Sequence, residues 1–398
     1  MYNVINKLKF DCAEMFWELR NCVIKLDVTA YEWDTVVTMG IAPVSDKLAL
    51  SFRHDFFEKD FNSAMRGVRK VYGDKKVNVE KWKQLHNLGY LPIEIRAFSD
   101  GANVFDNETI AEVANTVDGY GWLVYFVAEL FKTEYYKWCL KATMARDYVY
   151  EANKAFKLTT DIDNPEKYIG FVGNPGDEAD IEKSICWSVY SDNSNIRMTG
   201  EYASRLFAGT GVECSLNDKN TVVLKSNVLG QVLSGLNNAS KLYGRKNEKG
   251  YIELGDGNEV VIQASLTADD VRELYNVMRE KGYAASCVIL QINSDNFEYA
   301  SVSDGTVHCS EYLFFTTDIL YGEFNNRAKT GKCRVYIETP DVAELDYEEV
   351  SFEDRNNSSN VMGRKLYNET VTSEYGCKFE AIRGLANKLL KNTIKNFN

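Results

Sequence analysis

Apolar positions follow two rhythms along this chain, and the best-defined run lies in its second half. Val260, Val261 and Ile262 form a short apolar strand. Thr267 follows as a helix cap, with Asp270 three positions on, a variant of the capping box. Val271, Leu274, Val277 and Met278 then recur on one helix face, and Gly282 stops the helix. Ser286 to Ile292 is the next strand. Strand, helix and strand at this spacing predict a βαβ crossover in a parallel sheet. Thr221 to Leu224, followed by Val232 to Tyr243, predict the preceding βα pair. In the first half, Leu91, Ile93 and Ile95 alternate with Pro92, Glu94 and Arg96, as in a half-buried strand. Trp122 to Leu140 read as a helix that is apolar on more than one face. Asp11 to Arg20 also read as a helix, and the rest of the first fifty residues carry no clear pattern. Asp161 to Asp180, with Asn164-Pro165 and Asn174-Pro175-Gly176, read as a loop or domain junction. A second polar stretch, Asp354 to Asn360, precedes a basic amphipathic helix, Phe379 to Ile394, of the kind that closes a domain.

A length of 398 residues suits two or three domains. Apolar residues at 45% and charged residues at 26% give the mix of a soluble globular protein. The net charge of −12 argues against a nucleic-acid partner, which needs clustered Lys and Arg. Trp122 to Phe131 is the most apolar stretch, but it contains Glu129 and is half the length of a membrane span, so no membrane partner is expected. The nine cysteines are scattered, with no C-x-x-C pair, which predicts reduced thiols in a cytoplasmic protein. His54, His86 and His308 lie far apart in sequence. They suggest neither a metal site nor a Ser-His-Asp arrangement.

Leu91-Pro92-Ile93-Glu94-Ile95-Arg96-Ala97 runs on to Gly101, then through Ala114-Asn115-Thr116 and Tyr120-Gly121-Trp122-Leu123 to Ala142-Thr143-Met144-Ala145-Arg146. This string resembles the nicotinamide and nicotinate phosphoribosyltransferases, in order. Phe52 to Leu88 resemble the helix-rich segment before it. Ser188-Val189-Tyr190-Ser191-Asp192 are similar to the family's SVVSDSYD, and Val260 to Gln263 to its RVIQ strand. Thr330 to Val335 are similar to a late family strand. The resemblance implies an α/β fold: an N-terminal α+β domain over 1–150, an incomplete or irregular (β/α) barrel of the type II phosphoribosyltransferase kind over 151–340, and a C-terminal extension over 341–398. A barrel of the eight-stranded kind takes roughly 250 residues, more than 151–340 supply.

The residues that should carry the family's chemistry are rewritten. Its Arg-Pro-Asp-Ser-Gly corresponds to Lys225-Ser226-Asn227-Val228-Leu229, where lysine keeps the charge without the bidentate fork. Its Gly-Asp-Gly after the Gln263 strand corresponds to Ala264-Ser265-Leu266, and its Gly-Ser-Gly-Gly to Asn293-Ser294-Asp295-Asn296. Gly255-Asp256-Gly257 precedes its strand and reads as a turn. Between Arg146 and Ser188 the family's arginine loop and histidine motif are missing. Arg146, Asp192 and Lys225 remain as ligand-binding remnants by resemblance; each also reads as an ordinary surface, cap or ion-pair residue. No catalytic residue, metal or cofactor is expected. The expectation is a pseudoenzyme kept as a structural or protein-interaction component, as a homo-oligomer or within a larger assembly such as a viral particle. The alternatives are a divergent nicotinamide or nicotinate phosphoribosyltransferase of NAD salvage, or a pyridine or nucleotide sensor without turnover.

Overall fold

The computed structural model describes residues 17–30, 33–72, 77–197, 215–216, 228–255, 258–293, 301–303, 306–308, 313–324, 327–329, 333–338, 345–350 and 379–395. The chain divides into two compact units. One takes Met1–Cys139, Arg205–Thr210 and Ala300–Lys378; the other takes Leu140–Ser204, Gly211–Tyr299 and Phe379–Asn398.

The first unit opens with β1 (Leu19–Ala30), β2 (Thr35–Val37), α1 (Ile41–Phe52), α2 (Phe61–Tyr72) and α3 (Val79–Leu88). It continues with β3 (Ile93–Ala97), β4 (Asn103–Phe105), β5 (Thr109–Asn115) and the first half of α4 (Gly121–Thr159). α2 and α3 fall within the helix-rich run expected over Phe52 to Leu88, while α1 lies before it, in a stretch that carries no clear pattern in the sequence. In β1, Ile24, Leu26, Val28 and Ala30 are buried, while Lys25, Asp27 and Thr29 are half-buried. The helix expected over Asp11 to Arg20 is corrected here: Trp17 and Glu18 form a turn, Arg20 belongs to β1, and Asp11–Phe16 lie outside the described residues. Pairing on both edges of β1 outweighs local helical preference. The strand at Leu91–Ala97 is also more buried than its alternation implied. Glu94 and Arg96 are both buried, and the Arg96 Nε donates to Glu94. Lys25 lies opposite Glu112, and Glu112 opposite Arg96, so charge alternates in sign across three strands.

The second unit holds the rest of α4, then β6 (Ile169–Val172), α5 (Glu178–Ser188), β7 (Ile196–Arg197) and β8 (Ser215–Leu216). Next come α6 (Val228–Tyr243), the hairpin β9 (Gly244–Lys246) and β10 (Ile252–Leu254), β11 (Val260–Ala264), α7 (Ala268–Glu280) and β12 (Val288–Asn293). The βαβ crossover is as expected: β11 and β12 are parallel, both hydrogen bonds of the Thr267/Asp270 capping box are made, and Gly282 has φ +81°. Helix α6 is the predicted one, while its strand, Thr221 to Leu224, lies outside the described residues. The loop expected over Asp161 to Asp180 instead contains β6, which adds parallel to β12. Four residues set among Asn, Pro and Asp are too short a run to show a period. One face of this sheet buries Ile262, Leu290, Ile292 and Phe171, and Phe171 meets Trp187 of α5 at 6.1 Å. Among the described residues the parallel strands form an open sheet ordered β11-β12-β6, not a closed barrel.

The remaining strands are β13 (Ser301–Ser303), β14 (Thr306–His308), β15 (Leu313–Phe324), β16 (Arg327–Lys329), β17 (Cys333–Glu338) and β18 (Leu345–Val350). They belong to the first unit, whose main sheet runs β16-β15-β1-β5-β3. The late strand expected over Thr330–Val335 is observed from Cys333 onward. The last helix, α8 (Phe379–Lys395), packs Phe379, Ile382, Ala386 and Leu390 into the second unit, as its amphipathic pattern predicted.

Gly40 precedes α1 with φ +92°, and a Cβ built on it would lie 2.3 Å from the Trp138 ring. Gly89, at the end of α3, has φ +79° and open space around it. Left-handed backbone disfavours a side chain at both positions, but only Gly40 adds a steric clash. Gly89→Ala should therefore cost about 1 kcal/mol in urea unfolding, and Gly40→Ala at least about 3 kcal/mol, once strain and overpacking combine.

Candidate functional site

Ligands of open parallel α/β sheets bind beyond the carboxyl ends of the strands. In this sheet those ends are Gly173 after β6, Ser265 and Leu266 after β11, and Asn293 at the end of β12.

After β6 the chain turns through Gly173-Asn174-Pro175-Gly176-Asp177 into α5, and the turn's donors are met by the protein's own side chains. The Gly173 N–H donates to Asn195 Oδ1 at 2.9 Å, and the Asn195 amide donates back to the Gly173 carbonyl at 2.8 Å. The Asn174 N–H donates to Asp180 Oδ2 at 2.6 Å. Lys183 Nζ donates to the other oxygen, Oδ1, at 2.9 Å, and the two side chains are only 6% and 1% exposed. The Gly176 N–H is taken by Asn174 Oδ1, and the Ala179 N–H by the N-cap Asp177. None of these residues stood out in the sequence as a site. The available signal was a glycine-bearing turn followed by Asp and Lys three apart at a helix start.

After β11, Leu266 is buried, and the Tyr148 hydroxyl of α4 donates to its carbonyl at 2.6 Å. The leucine that the resemblance placed in a ligand loop is thus a core residue. At β12, Asn293 is half-buried; Ser294, Asp295 and Asn296 lie outside the described residues.

Of the two candidate remnants among the described residues, Asp192 lies away from these ends and Arg146 is engaged by a neighbouring carboxylate. Ser188 ends α5, and the chain then turns so that Ser194 bridges Phe171 in parallel. Asp192 therefore lies level with the start of β6, at the opposite end of the sheet from Gly173. There its carboxylate accepts three hydrogen bonds from Arg383 of α8, at 2.9 to 3.1 Å. Asn387, one helical turn on, donates to the Val189 carbonyl. Arg146 pairs with its neighbour Asp147 through Nε at 2.9 Å and Nη2 at 2.8 Å. Lys225 lies outside the described residues.

Other chemistry is limited. Cys22, Cys139, Cys186 and Cys287 are buried and not in disulfides; burial pushes the Cys139 thiol well up and that of Cys287 up to about 11, which keeps both protonated near neutrality. Among the described residues no group of three His, Cys, Asp or Glu could hold a metal ion, and no helix is long and apolar enough to cross a membrane. In the first unit, a cavity of about 20 Å³ is lined by Arg96, Thr109, Glu112 and neighbouring residues. It is water-sized, far below the roughly 300 Å³ of a small-molecule pocket.

No family model matches the chain. A nicotinamide phosphoribosyltransferase from Acinetobacter baylyi is 28% identical over 120 residues, which make up 29% of this chain and 24% of that protein. The chain resembles a phosphoribosyltransferase. That likeness, first read from individual residues, is thus also found by sequence comparison, though the chain spans only about a quarter of the length of the curated relative it matches. Among solved structures, human nicotinic acid phosphoribosyltransferase aligns over 96% of this chain and 92% of that one, at 10% identity and a TM-score of 0.46. Nicotinate-nucleotide pyrophosphorylase from Pyrococcus furiosus aligns over 98% and 95%, at 10% identity and a TM-score of 0.44.

The two ion pairs at opposite ends of the sheet should differ in weight. Lys183→Met removes the buried cation beside the Asp180 carboxylate and should cost about 3–5 kcal/mol. Arg383→Met breaks a pair whose side chains are 24% and 60% exposed, and should cost less than about 1 kcal/mol. Urea unfolding at neutral pH measures both, and equal costs would contradict the difference in burial.

Proposed function

We propose that this phosphoribosyltransferase-like protein has kept a scaffold and lost catalysis, and that it serves as a structural or protein-interaction component. Transfer of a phosphoribosyl group needs free N–H donors and cations for the phosphates, carboxylates for magnesium and the ribose, and an apolar slot for the pyridine ring. The observation that carries the proposal is the state of the strand ends. The donors after β6 are already bonded within the chain, and Leu266 fills the position after β11. Magnesium does not fit the described residues at the tips of β11 and β12, which do not include Asp295. Ser265, Leu266 and Asn293 offer hydroxyl, methyl and amide groups where a hard cation calls for carboxylates.

On this reading the protein acts through protein partners, as a homo-oligomer or as part of a larger assembly such as a viral particle. It works in the cytoplasm and binds neither nucleic acid nor membrane. The 120-residue likeness to a nicotinamide phosphoribosyltransferase favours a second reading, a divergent transferase of NAD salvage with rebuilt loops.

Incubating the pure protein with nicotinamide or nicotinate, phosphoribosyl pyrophosphate and magnesium separates these readings. We expect no mononucleotide, no calorimetric heat with any of the ligands, and a mass by light scattering above that of one chain. Product would establish the transferase. Heat without product would establish a sensor.

A further inference from the structure

We infer that a basic, partly apolar corner of the second unit is an interface, and that it docks on an acidic surface of a second copy of this chain. The inference rests on the reading of the protein as a component that acts through protein partners, and it names the surface that does so.

Three segments meet at this corner: the ends of α4 and α8 and the turn of the β9–β10 hairpin. Lys157 Nζ of α4 donates to the Ile394 carbonyl of α8 at 3.1 Å. Lys249 Nζ, in the hairpin turn, donates to the Lys157 carbonyl at 2.9 Å and to the Thr160 carbonyl. Asn247 of the same turn donates to the Thr159 carbonyl at 2.7 Å. Two helix C-termini thus end at the corner, each equivalent to roughly half a negative charge. Lys157 and Lys249 meet them, and Lys249 also pairs with Asp161 at 3.4 Å.

Further cations remain once those ends are met. Lys391 and Lys395 are exposed near the end of α8, and Arg245 and Lys246 are exposed in β9. Among the described residues none of these four is ion-paired. From Lys241 to Lys249 the sequence holds one acid, Glu248. In a chain of net charge −12 this surplus is a local reversal of sign. Beside it stand Leu242 and Tyr243, 76% and 50% exposed, and Leu158 at the end of α4 is exposed as well. Charges on a three-residue edge strand can serve only to repel other strands. A guard of that kind has no use for a bare leucine and tyrosine, whereas interfaces enrich tyrosine and arginine around apolar anchors.

The sign of the charge selects the partner. A patch of one sign repels its own image, so the corner cannot be its own partner across a twofold axis. The remainder of the same chain is acidic enough to outweigh the corner and give −12 overall, so a second copy presents the complementary charge. The contact therefore joins two different surfaces of the chain.

The test is light scattering of the full chain over a range of concentrations at neutral pH. Wild type should exceed the 45.3 kDa of one chain, and its mass should fall as salt rises from about 0.15 M to about 1 M. Lys391→Glu/Lys395→Glu and Arg245→Glu/Lys246→Glu, each with wild-type circular dichroism, should raise the concentration at half-assembly about tenfold or more. Leu242→Ser should weaken assembly and leave its salt dependence in place. Lys70→Glu/Lys83→Glu makes the same change in net charge at exposed positions of the first unit and should leave assembly unchanged. The inference is overturned if wild type stays a single chain throughout, if neither corner pair weakens assembly, or if the control pair weakens it as much. Assembly that survives both corner pairs overturns this interface alone and leaves the protein-partner reading standing. Mononucleotide formed in the transferase assay overturns that reading instead, whatever the masses show.

Discussion

Burying an ionised side chain costs several kcal/mol unless an opposite charge and hydrogen bonds meet it, and that constraint organises both units of this protein. In the first unit Glu94 meets Arg96 within β3, and Lys25 meets Asp27 within β1. In the second, Asp180 meets Lys183, while α4 is tied to α5 through Lys141 and Glu182 and to α7 through Glu151 and Arg272. Tyr148 of the same α4 bonds the chain just beyond β11. The helix layer and the strand ends are therefore held by several separate polar contacts around an apolar core. Opening a strand end means breaking a bond that is already made in a low-dielectric setting.

That arrangement bears on what the sheet can do. A site for a phosphorylated ligand is made of donors left without an internal partner, because only those gain when the ligand arrives. In the turn after β6, the Gly173, Asn174 and Gly176 amides are each satisfied from within. At the other end of the sheet, Asp192 serves to fasten α8, through Arg383, to the chain beside β6. After β6 and β11 the second unit is thus filled by its own groups at the end where its fold class usually binds, and beside β6 it is buttressed at the end where it usually does not.

Much of this was legible in the sequence wherever a period ran long enough. The βαβ unit from Val260 to Ile292 could be read from its cap, its apolar stripe and its terminal glycine, all of which act within a few residues. The closing helix from Phe379 could be read for the same reason. β6 could not, because Ile169 to Val172 become a strand only by pairing with Leu290 to Asn293, far along the chain. β1 was misread at Arg20 because its two partners lie about 90 and about 290 positions away. The buried Asp180 and Lys183 were hidden for a different reason. Charged residues at a helix start normally mark a solvated face, and only their burial in the folded unit shows that these two point inward.

The placement of β1 between β5 and β15 has a consequence for biosynthesis. β5 follows β1 after some eighty residues, but β15 does not begin until Leu313. At roughly 5–20 residues per second, a nascent chain waits about 15–60 s between exposing β1 and gaining the strand that covers its second edge. Through that interval a twelve-residue strand offers unpaired amides and carbonyls to any neighbouring polypeptide. The order of the strands thus lengthens the time for which that edge is open to other chains during synthesis.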